Sequence, residues 1–384
     1  MQKVLPTRPG ADRAAAALVR VELRDFRNHA RLALDLQPCS LAITGPNGVG
    51  KTNLLEAISM LAPGRGLRRA RLADMARDGA AGWTLGFMLR IDGARTLRIG
   101  TGWARGGKRR VRVDGEEAAS TLRLGDVLAV HWLTAAMDGL FNAGAAVRRR
   151  FLDRLVAGMN PNHAVLVANW ERASRQRREL LKLGRLEDAW LESVERAMAE
   201  AAVAVAHARL AAVSVLGEAV ADGAGSFPAA DIEVRGAVER LLESAGAGAA
   251  PARLQAMWRA ARPADQASGR TSAGPHRSDL VVRHRNRGME AARCSTGEQK
   301  ALLISLVLAA VRVETGRRGT PPLVLLDEVC AHLDPQRRAA LAAELDALGA
   351  QIWLTGADAS SFREFRHVQP VPLKAVRAVQ GAVH

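Results

Sequence analysis

Three groups of residues have the types and spacing to act on a nucleoside triphosphate. Gly45, Pro46, Asn47, Gly48, Val49, Gly50, Lys51 and Thr52 read GPNGVGKT, the G-x-x-x-x-G-K-[ST] spacing of a phosphate-binding loop. Such a loop turns backbone N–H groups and a helix N-terminus toward the β- and γ-phosphates, Lys51 neutralises charge there, and Thr52 can ligate Mg²⁺. Far downstream, Asp327 and Glu328 follow the apolar run LVLL. An acid at a strand end can hold a hydrated metal while its neighbour orients or deprotonates water, so Asp327 is expected at the metal and Glu328 at the water. Ser295, Thr296, Gly297, Glu298 and Gln299 open CSTGEQKALLISLVLAA, which reads as a helix start with hydroxyl donors and a glycine. Taken alone that stretch reads first as an ordinary capped helix. Beside a phosphate loop it is a second anion-facing surface, most simply used by the nucleotide of another copy of the chain.

The elements that must position these residues are legible around them. From Leu18 to Leu61 the pattern is strand, strand, strand, loop, helix: LVRVELRDF, RLALDL, LAIT, the glycine loop, then KTNLLEAISML. Residues 83–115 alternate as LGFMLRIDG, RTLRIGTGW and RRVRVDG between glycine-containing turns, which predicts an antiparallel layer. Residues 135–265 turn Ala-, Leu- and Arg-rich and helical, and from 271 strands and helices alternate again. The expected organisation is a loose tail over 1–16, the first half of a nucleotide-binding head over 17–134, an inserted helical lobe over 135–267, and the second half of the head over 268–384.

The 384 residues carry 55 Lys plus Arg against 39 Asp plus Glu, a formal charge of +16, which favours a polyanionic partner, nucleic acid first and anionic lipid second. Arginine clusters compete for that partner: Arg109, Arg110 and Arg112 with Lys108 on one hairpin, Arg65, Arg68, Arg69 and Arg71 after the glycine-loop helix, and Arg172, Arg175, Arg177 and Arg178 on a lobe helix. Each alone is an ordinary solvated face; together they suggest phosphate-backbone contact without sequence reading. Cys39, Cys294 and Cys330 are widely spaced and in no C-x-x-C pair, which suggests neither a disulfide framework nor a zinc site and suits the cytosol. The run AAVAVAHARLAAVSVLGEAV is interrupted by His, Arg and Glu, so no membrane partner is expected.

GPNGVGKT, STGEQ, and LLDE followed by VCAHLD together resemble the ABC ATPase head. Within that class the chain is similar to the RecF family of bacterial DNA repair ATPases through LRDFRNHARLALDL, GPNGVGKTNLLEAISMLAPGRGLR, RRRFLD, GPHRSDL, STGEQKALLISL and LLDEVCAHLDPQRR, which run in order from residue 23 to 338. The resemblance implies an α/β head with a parallel core sheet, an antiparallel β layer and an inserted helical lobe. It implies ATP and Mg²⁺ as ligands and an ATP-dependent homodimer in which residues 295–299 close on the partner's nucleotide. The loop from Val329 to Asp334, with His332, crosses that interface. It further implies binding of duplex and gapped DNA, slow DNA-stimulated hydrolysis, help in loading RecA in a pathway with RecR and RecO, and a cytoplasmic, nucleoid-associated location. Arg109, Arg110, Arg112, Arg175 and Arg178 are the candidate DNA contacts, and Arg27 and Arg68 could reach the nucleotide. The sequence departs from wider ABC patterns in having no glutamine near residues 120–145 and Thr355 in place of a switch histidine, which puts fast turnover in doubt, and Ser278 stands where an acid is familiar, which weakens any role hung on that position. A transporter ATPase subunit is disfavoured by the same features, a long-armed chromosome protein by the lack of sustained heptads, and an ATP-holding DNA scaffold without hydrolysis stays open.

Overall fold

The computed structural model describes residues 16–91, 95–184, 188–221, 226–365 and 368–373, so the expected tail lies outside the described residues apart from Ala16. The chain divides into two compact units, 1–135 with 311–384, and 136–310. The stretch 268–310, which the sequence pattern placed with the head, groups with the second unit.

The first unit holds two sheets. One is five-stranded and wholly parallel, in the order Val368–Pro372, Ser40–Thr44, Ile352–Gly356, Leu323–Asp327, Val130–Thr134. Its central strands are buried on both faces, as near-continuous Val, Leu and Ile runs require. The other sheet is six-stranded and antiparallel, ordered His29–Asp35, Ala17–Phe26, Gly82–Ile91, Arg95–Ala104, Arg110–Val113, Glu116–Glu117. Its strands alternate buried and exposed residues, the mark of one face on a core and one in water. Gln351 ties the two sheets: its Oε1 accepts from the N–H of Leu18 at 2.8 Å, and its Nε2 donates to the carbonyls of Leu18 at 3.1 Å and Cys39 at 3.0 Å.

The second unit is built on the helices Ala145–Met159, His163–Leu183, Asp188–Ala221 and Ala237–Ser268, the last kinked at Gly246, where φ is 72°. Asp188–Ala221 is long and apolar enough to cross a membrane by length and composition. Its apolar face is instead a protein core, with Met198, Ala202 and Val205 packed in one cluster with Trp170, Leu254 and Trp258. A strand absent from the sequence expectation, Ala230–Arg235, pairs antiparallel with Asp279–His284, so the lobe carries its own small sheet.

Two stretches that mark the family resemblance meet in this unit and serve its architecture. Arg148 forms a two-pronged pair with Asp279 at 2.8 and 2.7 Å, and Arg149 donates to the carbonyl of Ser278 at 2.7 Å. Ser278, the departure from the acidic pattern, is buried and donates to both oxygens of buried Glu239, at 2.7 and 2.9 Å. His276 stacks on Trp170, ring centroids 5.5 Å apart. Gly274, with φ 148°, leaves room for that indole: a Cβ there would lie 2.5 Å from Trp170 Cη2.

Candidate functional site

The glycine loop leaves the strand Ser40–Thr44 and enters the helix Lys51–Ser59 through three left-handed glycines, Gly45, Gly48 and Gly50, with φ of 151°, 81° and 104°. Two of them have no room for a side chain. A Cβ on Gly45 would meet the Leu373 carbonyl oxygen at 2.7 Å, and one on Gly50 would meet His29 Nε2 at 2.4 Å and Asn28 Oδ1 at 2.6 Å. His29 supports the loop from the first hairpin, its Nε2 3.2 Å from the Gly50 carbonyl. Burial pulls its imidazole below the usual pKa, so the neutral ring with Nε2–H fits as the donor. Asn28 Nδ2 donates to the Val49 carbonyl at 3.1 Å. Lys51 is almost fully buried and folds back on the loop, its Nζ 2.7 Å from the Gly45 carbonyl and 3.3 Å from that of Pro46.

The two distant ends of the sequence meet at the carboxyl end of the parallel sheet. Thr52 Oγ1 donates to Asp327 Oδ1 at 2.9 Å, and Thr355 Oγ1 donates to the same oxygen at 2.9 Å. Thr355 stands on the strand between the glycine-loop strand and the carboxylate strand, in register with Asp327 on one side and Ile43 on the other. Burial pushes the Asp327 carboxyl above its ordinary range, against the opposing pull of the Thr355 and Thr52 hydroxyls. Glu328 leaves the strand with φ 57°, a left-handed backbone uncommon for a side chain of its size, and its N–H donates to Thr355 Oγ1 at 3.0 Å. The loop continues as the short turn Val329–His332, and Asp334 then caps the helix Pro335–Ala347 by accepting from the N–H of Arg337 at 2.8 Å.

Nucleotide and metal can be tested against this geometry. The loop is a side-chain-free cradle at Gly45 and Gly50, with a lysine at its centre. Thr52 Oγ1 and Asp327 Oδ1 are hard oxygens converging at one point, a donor set that suits Mg²⁺ carried on phosphates. Among the described residues no group of three or more His, Cys, Asp or Glu could hold a metal by itself. The residues therefore fit a metal that arrives with its triphosphate.

Arg27 and Arg68 do not point freely at that cradle. Both converge on Glu56, a wholly buried carboxylate of the glycine-loop helix: Arg27 in two-pronged fashion at 2.8 and 2.7 Å, Arg68 at 2.8 Å. Arg68 also donates to Asn53 at 2.7 Å and remains the more exposed of the two.

The signature stretch lies in the second unit. Ser295 and Glu298 form a reciprocal capping box: the Ser295 N–H and Oγ donate to Glu298 Oε2 at 3.0 and 2.9 Å, and the Glu298 N–H reaches Ser295 Oγ at 3.4 Å. Ser295, Thr296 and Gly297 are exposed at the start of the helix Thr296–Arg318. Gln299 is turned inward instead, buried, its Nε2 donating to the Cys294 carbonyl at 2.9 Å and its Oε1 accepting from Asn142 Nδ2 at 3.1 Å.

The arginines put forward for DNA separate into three kinds. Arg109 is a structural cap: its guanidinium donates to Thr101 Oγ1 and the Gly64 carbonyl, both at 2.9 Å, and to the Met60 carbonyl. Burial lowers its pKa to about 10, and it faces the end of the glycine-loop helix. Arg177, from the lobe cluster, is fully buried between Glu195 at 2.9 Å and Asp265 at 2.6 Å. Arg110, Arg112 and Arg175 are exposed and Arg178 is half-buried, with Arg110 paired to Glu117.

Comparison with known proteins agrees with this architecture. The RecF/RecN/SMC N-terminal domain family matches residues 17–375. The DNA replication and repair protein RecF of Mesorhizobium japonicum is 47% identical over 91% of this chain and 93% of its own length, and that of Rhizobium meliloti 46% identical over 90% and 93%. A solved structure of the recombination mediator protein RecF with ATP in the RecFOR pathway superposes with a TM-score of 0.81 at 22% identity, covering 92% of this chain and 95% of the other. An Smc head bound to the C-winged helix domain of ScpA superposes with a TM-score of 0.53 at 13% identity, covering 94% and 95%, a likeness of fold. An α/β head of ABC and SMC type, matched over nearly its whole length to curated relatives, places the chain in the RecF family.

Proposed function

We propose that the protein is an ATP-dependent DNA-binding repair protein that dimerises on ATP, holds duplex or gapped DNA while dimeric, and resets by slow, DNA-stimulated hydrolysis. The observation that carries the nucleotide part is the convergence of the Thr52 and Thr355 hydroxyls on one oxygen of the Asp327 carboxylate, beside a side-chain-free glycine loop. The DNA and repair part rests on RecF family membership and on the +16 charge. Assistance to RecA loading, with RecR and RecO, follows from the family alone.

In this reading ATP is the substrate. The N–H groups of the loop from Gly45 to Thr52 receive its phosphates, and Lys51 exchanges the Gly45 and Pro46 carbonyls for phosphate oxygens. Thr52 and Asp327 are the residues that would hold Mg²⁺, whose chemistry is to neutralise developing charge on the phosphates. Glu328, held by its backbone bond to Thr355, orients water. Exposed Ser295, Thr296 and Gly297 meet the phosphates held by a second copy, and His332 and Asp334 lie on the loop at that junction.

Sedimentation with and without ATP and duplex DNA tests the dimer. ATP is expected to produce dimers in wild type and none in Ser295→Arg, which keeps its nucleotide affinity; dimers in that variant would rule out use of the signature between copies. Single-turnover hydrolysis with DNA, comparing wild type with Glu328→Gln, tests the chemistry, and equal rates would leave an ATP-holding scaffold as the better description.

A further inference from the structure

Alternation along the six antiparallel strands puts one set of side chains in the core and the other in water. Cross-strand register arranges the water-facing set in rows. One row runs Asp35, Arg20, Met88, Arg98. The next runs Glu22, Gly86, Gly100, Arg112, Glu117. A third runs Arg31, Arg24, Thr84, Gly102, Arg110. Where the paired glycines Gly86 and Gly100 meet, the face sinks into a trough of ≈ 450 Å³ walled by Arg20, Arg98 and Arg112.

Three acids of this face, Glu22, Asp35 and Glu117, are already paired with arginine. Arg20 takes Glu22 and Asp35, both at 2.6 Å, and Arg110 takes Glu117 at 2.6 Å. Asp114, at the rim, accepts the backbone N–H of Arg98 at 2.8 Å. Arg31, Arg98 and Arg112 are exposed and have no ion pair among the described residues. The face therefore presents net positive charge across six strands, a width of roughly 24 Å at about 4.8 Å per step. Met88 is the one large apolar side chain there among the described residues, and it is half-buried. Interfaces between proteins concentrate apolar and aromatic groups at their centre, whereas those with nucleic acid are polar and strongly positive.

We propose that this face is a docking surface for the phosphodiester backbone of DNA, with Arg98 and Arg112 gripping it above the Gly86–Gly100 floor. The proposal rests on the DNA-binding reading above and adds where on the head the DNA lies. The glycines let the backbone sink between the arginines, and no base edge is read, so binding is indifferent to sequence and sensitive to salt.

The test is fluorescence anisotropy of a random-sequence duplex with the full chain at several salt concentrations. Arg98→Gln/Arg112→Gln is expected to weaken binding about tenfold or more and to reduce the slope of log affinity against log salt by about two. Gly100→Val fills the trough without changing charge, and its Cβ has room, the nearest atom being Arg112 Cβ at 4.0 Å; it is expected to weaken DNA binding with the slope nearly intact. Both variants should keep wild-type ATP affinity and melting temperature, which separates docking from folding. Wild-type DNA affinity and slope in both variants would overturn the proposal, whereas a wild-type chain that binds no duplex would remove the DNA reading itself. Capture of poly-glutamate that depends on Arg98 and Arg112, with DNA affinity unchanged, would also overturn it, in favour of an acidic protein.

Discussion

Thr355 and Asp327 face each other across neighbouring parallel strands, the threonine hydroxyl donating to Asp327 Oδ1 at 2.9 Å while accepting the N–H of Glu328 at 3.0 Å. One side chain thus holds the Asp327 carboxylate and the backbone of Glu328. In Thr355→Val the shape is kept and both bonds are lost. Single-turnover hydrolysis is expected to fall about tenfold or more, about 1.4 kcal/mol, with ATP affinity changed much less. Equal loss of affinity and rate would show Thr355 to be a general support of the loop.

The glycine loop makes an internal contrast. Gly48 and Gly50 both have positive φ, but a Cβ on Gly48 meets nothing within 4 Å, while one on Gly50 collides with His29 and Asn28. Gly50→Ala is expected to lose ATP binding by a clearly larger factor than Gly48→Ala. Titration with a fluorescent ATP analogue measures the difference, and equal losses would mean that backbone strain alone decides.

Arg109 holds the far end of the glycine-loop helix, away from the phosphate loop, through the Met60 and Gly64 carbonyls. Arg109→Met removes a part-buried, charge-assisted set of bonds and is expected to cost about 1–3 kcal/mol in urea unfolding. The salt slope of DNA binding should stay at the wild-type value. A reduced slope at full stability would return Arg109 to the DNA contacts.

His131 and Glu314 form a buried pair at the opposite end of the sheet strand Val130–Thr134 from its carboxyl terminus, with Arg318 3.4 Å from the same carboxylate. Burial raises the Glu314 carboxyl, but His131 and Arg318 outweigh it and hold the group below its ordinary value of 4.5. The folded state therefore keeps this carboxylate ionised to lower pH than the unfolded chain does. Its stabilisation is full above 4.5 and is lost as pH falls through the depressed value. Urea melts from neutral to acid pH should show wild type losing stability more steeply below 4.5 than Glu314→Gln, and parallel curves would contradict the assignment.

Much of the head is legible in the sequence because its chemistry is local. The glycine loop, the LVLL strand and the three-stranded run over 83–115 each carry their own periodicity or turn residues. The strand Val368–Pro372 escapes notice because it holds Pro370 and Pro372, which a sheet tolerates at the edge, where this strand lies. Val130–Thr134 escapes because VHWLT is short and mixes His and Trp into a buried parallel strand. In the site, Thr52, Asp327 and Glu328 could be read from spacing, but Thr355 could be noticed only as a departure, since its role depends on which strand lies between two others. His29 and Asn28 leave no pattern, as they support the loop from a separate hairpin. Among arginines the sequence cannot separate Arg109 from Arg110: Arg109, just before the strand, turns onto the Met60 carbonyl, while Arg110, its first residue, points into water and pairs with Glu117.

In the proposed dimer, the capping box at the signature limits how firmly one copy grips the nucleotide of the other. Ser295 commits its only hydroxyl proton to Glu298, so a phosphate arriving at this helix must exchange with a carboxylate already seated there. The chain carries a resident mimic of its proposed ligand. In the proposed dimer an incoming triphosphate would displace that mimic, and the mimic would return when the charge is lost, a surface built to let go.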